Sequence, residues 1–231
     1  MLIFDMDGTL IDSNGIWRDV DTAFLAKRGL PYTREYYEGV AHTVFPKAAE
    51  FTKAYCRLPE STDEIMAEWM EMAGDLYTTS VPVKPGVVAY LERCKAAGER
   101  MAVLTSSVPA HCHAALEHLG LKPYFERIFF AQELGMDKKE PAIYRKTAEL
   151  LGVAAEDCTI FDDSIAACRS ARAAGMTVIG VYDEFFHVSW EDTCRPCATA
   201  VSAALRSCCK YHAFDMAKGV CAQTPFAVEI R

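Results

Sequence analysis

Short apolar runs alternate with longer segments of helical periodicity in the C-terminal two thirds of the chain. The predicted strands lie at 2–4, 101–104, 127–131, 159–161 and 177–181, and the predicted helices begin near Pro85, Pro109, Pro141 and Ser164. Most of these helices start at a proline and end at a glycine, which is the expected asymmetry of helix caps. The pattern predicts an α/β fold: a Rossmann-like parallel sheet core with helices on both faces.

The segment between the first strand and this alternating region follows a different pattern. Ile16, Val20 and Phe24 recur at helical spacing, as do Ile65 and Trp69, and no part of the segment has the pattern of a strand. We therefore expect an all-helical domain, residues 13–82, to be inserted into an α/β core formed by residues 1–12 and 83–190.

Composition narrows the classes of partner. The 231 residues carry 32 acidic and 24 basic side chains, a net charge of −8. This balance disfavours nucleic acid or an anionic membrane as the main partner. We expect no membrane span, because no apolar run reaches about 18 residues. Met1 leads directly into the first strand, so we expect no signal peptide and a cytoplasmic location. The sequence leaves the oligomeric state open.

The first strand carries the most informative polar residues of the chain. Residues 2–10 read Leu-Ile-Phe-Asp-Met-Asp-Gly-Thr-Leu, with Asp5 and Asp7 at alternate positions. Alternate residues of a strand point the same way, so the two carboxylates are expected side by side, and the structural alternative is a turn at the end of the strand. Their repulsion favours a bound divalent cation, and Mg²⁺ is the usual choice beside phosphate.

Polar residues also follow two other predicted strands. Thr105 and Ser106 follow the apolar run 101–104, and Asp162-Asp163 follow Thr-Ile-Phe at 159–161. The carboxyl ends of parallel strands meet at one edge of a sheet, where ligands bind. These residues are therefore expected near Asp5.

Four motifs in order resemble those of the haloacid dehalogenase superfamily. Asp5-Met-Asp7-Gly-Thr resembles the first motif, Thr105 the second, Lys138 the third and Asp162-Asp163 the fourth. The resemblance covers residues 1 to about 185. The helical insert resembles the C1 cap of this superfamily, which implies a place near its phosphatase and β-phosphoglucomutase-like branch.

The resemblance implies a Mg²⁺-dependent phosphatase acting on a small phosphorylated metabolite of the sugar phosphate or nucleotide class. Asp5 would attack phosphorus to form an aspartyl phosphate. Asp7 would protonate the leaving oxygen and then deprotonate the attacking water. Thr105 would donate hydrogen bonds to the phosphate, with Ser106 a further substrate-binding candidate, and Lys138 would supply positive charge.

The resemblance gives Mg²⁺ the carboxylates of Asp5, Asp162 and Asp163 and the backbone carbonyl of Asp7. The family often has glutamate where Asp162 stands, and the shorter side chain leaves room for a water between it and the metal. A structural alternative is that Asp162-Asp163 cap the following helix, and Thr105 has the same alternative.

The phosphate lysine has a competitor beside it. The family usually has proline directly after this lysine, whereas this chain has Lys139 there. Counting back three positions from Pro141 favours Lys138 over Lys139.

Substrate choice is expected in the insert. A histidine ten residues past the second aspartate is typical of β-phosphoglucomutase-like enzymes, and this chain has Trp17 there, which favours hydrolysis over a phosphomutase reaction. A non-catalytic protein that binds a phosphometabolite is the other alternative. His42, Lys47 and Trp17 are candidate substrate-binding residues. The structural alternatives are a solvated surface for His42 and Lys47 and a core anchor for Trp17.

Residues 191–231 form an atypical, cysteine-rich tail. A zinc site is one interpretation of Cys194, Cys197, Cys208, Cys209 and His212, but the second cysteine pair is adjacent, which strains four-ligand geometry. Another hypothesis is a frameshift: codons can be chosen for residues 197–209 so that reading two bases later gives RDRGIRSFAELL, which resembles the usual end of the family. Such a tail would be poorly ordered or without a selected role.

Overall fold

A computed structural model describes residues 1–40, 45–181 and 183, together with the backbone of 227–229. The chain divides into two compact units, one formed by Met1–Asp12 with Pro82–Arg231 and the other by Ser13–Val81. The cysteines weighed as a zinc site, the segment of the frameshift hypothesis and the substrate-binding candidate His42 lie outside the described residues.

The helices and strands follow each other as the hydrophobic pattern predicts, with small differences at their ends. The strands are β1 (Leu2–Phe4), β2 (Met101–Thr105), β3 (Arg127–Phe130), β4 (Thr159–Asp162), β5 (Thr177–Val181) and β6 (Ala227–Glu229). The helices are α1 (Ile16–Lys27), α2 (Arg34–Val40), α3 (Phe45–Cys56), α4 (Thr62–Thr79), α5 (Val87–Ala96), α6 (Pro109–His118), α7 (Ala131–Leu134), α8 (Pro141–Leu151) and α9 (Ile165–Ala173).

The first unit is built on one sheet with the strand order β3-β2-β1-β4-β5-β6. Strands β1 to β5 are parallel, which confirms the predicted α/β class with a Rossmann-like parallel sheet. Every residue of β1 and β2 is buried, as expected for central strands with both faces covered. The sixth strand pairs antiparallel with β5 and was not predicted, because it lies in the atypical tail.

The core of this unit lies between the sheet and the helices of its faces. Its fully buried members include Ile3, Leu104, Ile143, Tyr144 and Ile160. Burial of apolar side chains contributes roughly 25 cal/mol per Å², so this cluster stabilises the strands that carry the polar residues at their ends.

The second unit contains α1 to α4 around its own core. Val20, Phe24 and Leu25 of α1 are buried against Ile65 and Trp69 of α4, as their helical spacing predicts. Helix α4 begins with a capping box, in which the Ser61 side chain and the N3 carboxylate satisfy each other's backbone N–H groups. No strand occurs among the described residues of this unit, so the expected all-helical insert is confirmed. Its service as a cap over the site remains a prediction.

The insert leaves and re-enters the first unit at adjacent points. Ile11 pairs with Val83 in an antiparallel bridge, and Asp12 N–H donates to the Pro82 carbonyl with an N···O distance of 3.0 Å. The two segments of the first unit that flank the insert are therefore hydrogen bonded to each other. None of the helices in the described parts of the chain is long and apolar enough to cross a membrane.

Candidate active site

Three central strands deliver polar side chains to the same edge of the sheet. Asp5 follows β1, Thr105 ends β2 and Asp162 ends β4, and β1 lies between the other two strands. The Asp5 N–H donates to the Phe161 carbonyl over 2.8 Å, so strand pairing continues to the first catalytic candidate. The parallel register therefore gathers these side chains, as predicted from strand ends alone.

The carboxylates of Asp5, Asp162 and Asp163 form one buried cluster. One oxygen of each lies within 4.8 Å of the others, and all three residues are at most 6% exposed. Three ionised carboxylates at this separation repel each other strongly in a site shielded from water. The cluster therefore needs positive charge nearby.

Lys138 supplies part of that charge. Its Nζ lies 2.5 Å from Asp5 Oδ1 and 2.7 Å from Asp162 Oδ2, and its side chain is 9% exposed. The neighbouring Lys139 is exposed on the surface. Of the two lysines left open by the sequence, Lys138 is the one that reaches the carboxylates.

Burial and charge shift the pKa values of this pair upwards. Burial raises the pKa of Asp5 well above its usual value, and Asp162, Asp163 and Asp7 raise it further against the opposing effect of Lys138. Burial alone would lower the pKa of Lys138, but Asp162 and Asp5 raise it well above the usual value. The Lys138 ammonium is thus favoured by its carboxylate neighbours, and further positive charge beside Asp5 would favour its ionised form.

Asp7 lies in a tight turn rather than in the strand. Strand β1 ends at Phe4, and the Met6 carbonyl accepts hydrogen bonds from the N–H groups of Thr9, Leu10 and Ile11. The expectation that strand alternation places Asp5 and Asp7 side by side was therefore based on a strand that is too long. Asp7 is half-buried and outside the three-carboxylate cluster, yet near enough to raise the pKa of Asp5.

The alternative roles as helix caps are not observed. Ser164 is the N-cap of α9, and its hydroxyl accepts a hydrogen bond from Ala167 N–H. Asp162 Oδ1 instead accepts from Ser164 N–H over 2.9 Å, which orients the carboxylate at the strand end. The buried Thr105 Oγ1 accepts a hydrogen bond from Ser107 N–H over 2.9 Å, and Thr105 lies three residues before Val108, the N-cap of α6.

The remaining substrate-binding candidates lie on exposed surface. Ser106 is exposed directly after β2. In the second unit, Trp17 is 40% exposed with its ring edge-on to Phe45 at 5.3 Å, so it is not the core anchor considered from sequence. Lys47 is exposed on α3. Their contact with substrate remains a prediction.

Two features near the site were not predicted from the sequence. The Tyr144 hydroxyl donates to the Lys138 carbonyl over 2.9 Å. A buried ion pair joins Lys84 to Asp183, and Lys84 also donates to the Gly8 carbonyl. From the sequence, Tyr144 is one apolar position on the face of a helix, which does not indicate a hydrogen bond to the Lys138 carbonyl. The partners of the ion pair are 99 residues apart and belong to no motif, so the sequence does not predict their contact.

The donor set of the cluster fits a hard divalent cation. All three side chains offer carboxylate oxygens, the ligands that Mg²⁺ and Ca²⁺ prefer. Asp162 Oδ2 is buried and accepts no hydrogen bond of regular geometry, although the Lys138 ammonium lies 2.7 Å away. One ammonium among three carboxylates leaves negative charge that a cation would offset.

Comparison with known proteins supports the family. The family model of the haloacid dehalogenase-like hydrolases matches residues 1–175 of this chain. The fructose-1-phosphate phosphatase YqaB of Escherichia coli is 29% identical over 181 residues, which cover 78% of this chain and 95% of the relative. The GMP/IMP nucleotidase YrfG of the same organism is 27% identical over 185 residues, covering 76% of this chain and 79% of the relative.

A solved structure shows the same fold. The crystal structure of a Thermotoga maritima protein, provisionally assigned as a β-phosphoglucomutase, superposes with a TM-score of 0.73 at 24% identity, covering 79% of this chain and 85% of that one. The family match spans the β1 motif, Thr105, Lys138 and the carboxylate pair at the end of β4. The chain belongs to the haloacid dehalogenase-like hydrolases.

Proposed function

We propose that the chain is a Mg²⁺-dependent phosphatase that hydrolyses a small phosphorylated metabolite through an aspartyl phosphate on Asp5. The observation that carries this proposal is the contact of Lys138 with Asp5 and Asp162, at 2.5 and 2.7 Å, inside a buried cluster of three carboxylates. A nucleophile, a fixed cation and the ligands for a metal ion thus lie together, as phosphoryl transfer requires.

In the first step, an Asp5 oxygen attacks phosphorus while the bond from phosphorus to the ester oxygen breaks. Asp7 gives its carboxyl proton to the departing oxygen, so the product leaves as an alcohol. Lys138 holds the Asp5 carboxylate through Oδ1 and offsets charge on the phosphoryl oxygens. Thr105, at the end of β2, would donate a hydrogen bond to the phosphate.

In the second step, the Asp7 carboxylate takes a proton from water as that water attacks phosphorus. The bond from phosphorus to Asp5 breaks, and inorganic phosphate leaves with Asp5 restored. Asp5, Asp162 and Asp163 would hold Mg²⁺, with the backbone carbonyl of Asp7 as a further ligand. The bound metal would neutralise phosphate oxygens beside these carboxylates.

The substrate class follows from the relatives rather than from the described site. YqaB and YrfG are named for fructose 1-phosphate and for GMP and IMP. In the proposed mechanism the core residues act on the phosphoryl group and the ester oxygen, which a sugar phosphate and a nucleotide share. We propose that Trp17, His42 and Lys47 of the insert select between them.

The decisive experiment is hydrolysis of 4-nitrophenyl phosphate with Mg²⁺ and with chelator, in the wild type and in Asp5→Asn. We expect metal-dependent turnover that falls by roughly 10³-fold or more in Asp5→Asn, because the nucleophile is lost. Asp75→Asn, an exposed carboxylate on α4, is the matched control and should retain activity. Phosphate on a peptide containing Asp5 after acid quench would identify the intermediate.

Turnover that survives in Asp5→Asn would contradict the aspartyl-phosphate route. No turnover by the wild type on this ester or on a panel of sugar phosphates and nucleotides would contradict a phosphatase and favour a non-catalytic binding protein. Conversion of an aldose 1-phosphate to its 6-phosphate without release of phosphate would favour the phosphomutase alternative.

A further inference from the structure

Lys84 is a buried lysine outside the carboxylate cluster. Its side chain is 8% exposed and that of its partner Asp183 is 4% exposed. The Lys84 Nζ donates to Asp183 Oδ2 over 2.7 Å and to the Gly8 carbonyl over 2.6 Å. An ammonium is costly to bury, so it is retained only where charge and hydrogen bonds compensate it, as they do here.

Lys84 lies beside the turn that carries Asp7. Its N–H donates to the Leu10 carbonyl over 3.0 Å, and the preceding residue, Val83, pairs with Ile11. These backbone contacts with Leu10 and Ile11 fix Lys84 beside the turn, and its side chain extends to the Gly8 carbonyl. Asp183 follows the end of β5, so the sheet fixes the other half of the ion pair.

The peptide segment that follows Asp7 is consequently held at both polar groups of Gly8, which belong to two successive peptide groups. Gly8 N–H donates to the Ile11 carbonyl over 2.8 Å, while the Gly8 carbonyl accepts from Lys84. Gly8 has a φ of 74°, a left-handed conformation that leaves the turn few alternatives as long as both bonds persist. The direction in which Asp7 leaves the backbone depends on this segment.

The ion pair acts through position rather than through net charge. Lys84 and Asp183 together are formally neutral, whereas Lys138 places an ammonium against the carboxylates themselves. Removing the pair therefore changes the turn more than it changes the electrostatic potential at Asp5.

We propose that Lys84, held by Asp183, is a positioning residue for Asp7. The inference rests on the proposed function, in which Asp7 gives its proton to the leaving oxygen. Without the ammonium, the Gly8 carbonyl loses its donor and the turn adopts further conformations. The Asp7 carboxyl group then reaches the leaving oxygen in a smaller fraction of encounters.

The test uses two esters that differ in their need for a proton. Phenyl phosphate has a poor leaving group that requires protonation, and 4-nitrophenyl phosphate needs it much less. We expect Lys84→Met to lower kcat/KM for phenyl phosphate about tenfold more than for 4-nitrophenyl phosphate, both with Mg²⁺. A residue that only stabilises the fold would lower both values by the same factor.

Three further variants sharpen the result. Lys84→Arg keeps a cationic donor and should return the ratio of the two kcat/KM values towards that of the wild type. Lys146→Met removes an exposed lysine paired with Glu149 and should leave both values unchanged. Lys84→Met combined with Asp183→Asn removes both charges, so it serves if the single variant leaves Asp183 buried without its partner and fails to fold.

The two hypotheses fail in different ways. An equal loss on both esters in a folded Lys84 variant overturns the positioning role and leaves the phosphatase proposal intact. A wild type that hydrolyses neither ester, nor any phosphometabolite, overturns both.

Discussion

The Tyr144 hydroxyl donates a hydrogen bond to the backbone carbonyl of Lys138, with an O···O distance of 2.9 Å. Ser170 Oγ donates to the next carbonyl, that of Lys139, over 2.6 Å. Side chains of helices α8 and α9 thus hold the two backbone carbonyls of the loop that carries Lys138 and Lys139. Burial raises the pKa of Tyr144, which favours the protonated phenol that donates this hydrogen bond.

We expect Tyr144→Phe to weaken both the fold and the site. The Lys138 carbonyl would be left buried without this donor, which costs about 1 to 2 kcal/mol in the free energy of unfolding. The looser loop should also lower kcat severalfold with little change in KM, because Lys138 would spend less time against Asp5. Urea unfolding and steady-state kinetics measure the two effects.

Tyr124→Phe is the matched control, since the Tyr124 hydroxyl bonds Glu92 on the surface. Its loss should cost less than about 0.5 kcal/mol and leave kcat unchanged. Equal behaviour of the two variants would show that the buried hydrogen bond has no special role.

Replacement of the two adjacent lysines should give opposite results. Lys138→Met leaves three buried carboxylates without their ammonium, so phosphatase activity should fall by roughly 10²- to 10³-fold. Lys139→Met changes an exposed side chain and should leave activity within about twofold of the wild type. A larger loss in Lys139→Met, measured with 4-nitrophenyl phosphate, would reverse the assignment.

Divalent cations should stabilise the fold through the carboxylate cluster. Mg²⁺ at about 100 times its dissociation constant should add about 2.7 kcal/mol to the free energy of unfolding and raise Tm. Asp163→Asn removes one ligand and should reduce the Tm shift by more than half. Glu156→Gln, an exposed acid in the first unit, should keep the full shift. An undiminished shift in Asp163→Asn would place the cation elsewhere.

The second unit should lose stability as pH rises through the range of Asp21. Burial raises the pKa of Asp21 from 3.8 to about 6, against the opposing hydrogen bond from Tyr36. The folded state therefore keeps a proton that the unfolded state releases between these values. Stability falls as pH rises through this window, by about 1 to 2 kcal/mol after allowance for partial exposure.

Asp21→Asn should remove that contribution. The difference in unfolding free energy between wild type and Asp21→Asn should change between about pH 4 and pH 7. The wild type should become less stable relative to the variant as pH rises. The difference for Asp75→Asn, an exposed acid of the same unit, should stay constant. A constant difference for Asp21→Asn as well would mean that its carboxyl titrates alike in both states.

Gly39 marks a close approach in the second unit. A methyl group built on Gly39 would lie 2.1 Å from the Cζ of Phe51, whose ring stacks on Tyr55. Gly39→Ala should therefore destabilise the unit by about 1 to 3 kcal/mol, as overpacking does. Gly15→Ala, where the methyl group would meet nothing within 4 Å, should be neutral.

A second change tests the cause of this effect. Phe51→Leu shortens the opposing side chain, so it should cost less stability in the Gly39→Ala background than in the wild type. Additive effects in thermal unfolding would contradict a direct clash.

The sequence predicted those parts of the fold that depend on local signals. Pro141 at the first turn of α8 and Gly152 in left-handed conformation at its end set that helix within one residue of its predicted limits. The ends of the strands were also predictable from the apolar runs, so the sequence alone placed Thr105 and Asp162 at one edge of the sheet.

Long-range contacts could not be predicted in this way. The reach of Lys138 to Asp162 depends on the path of the loop before α8, and nothing in the motif specifies a second carboxylate partner. The Lys84–Asp183 pair joins the segment that follows the insert to a residue just after β5, two parts of the first unit that are 99 residues apart in the sequence. The sequence favoured a strand through Asp7 over the turn that the structure shows at Met6, because two aspartates at alternate positions are compatible with both.

The bridge between Ile11 and Val83 makes the inserted unit an exchangeable module. Asp12 and Pro82 are already joined by a backbone hydrogen bond of 3.0 Å, so the α/β scaffold closes on itself without help from the 69 residues of Ser13–Val81. Grafts succeed where the two ends of an insertion lie close together. Under the proposed role of the insert in substrate selection, replacement of this one contiguous stretch of gene would change the substrate and leave Asp5, Lys138 and the carboxylate cluster unaltered.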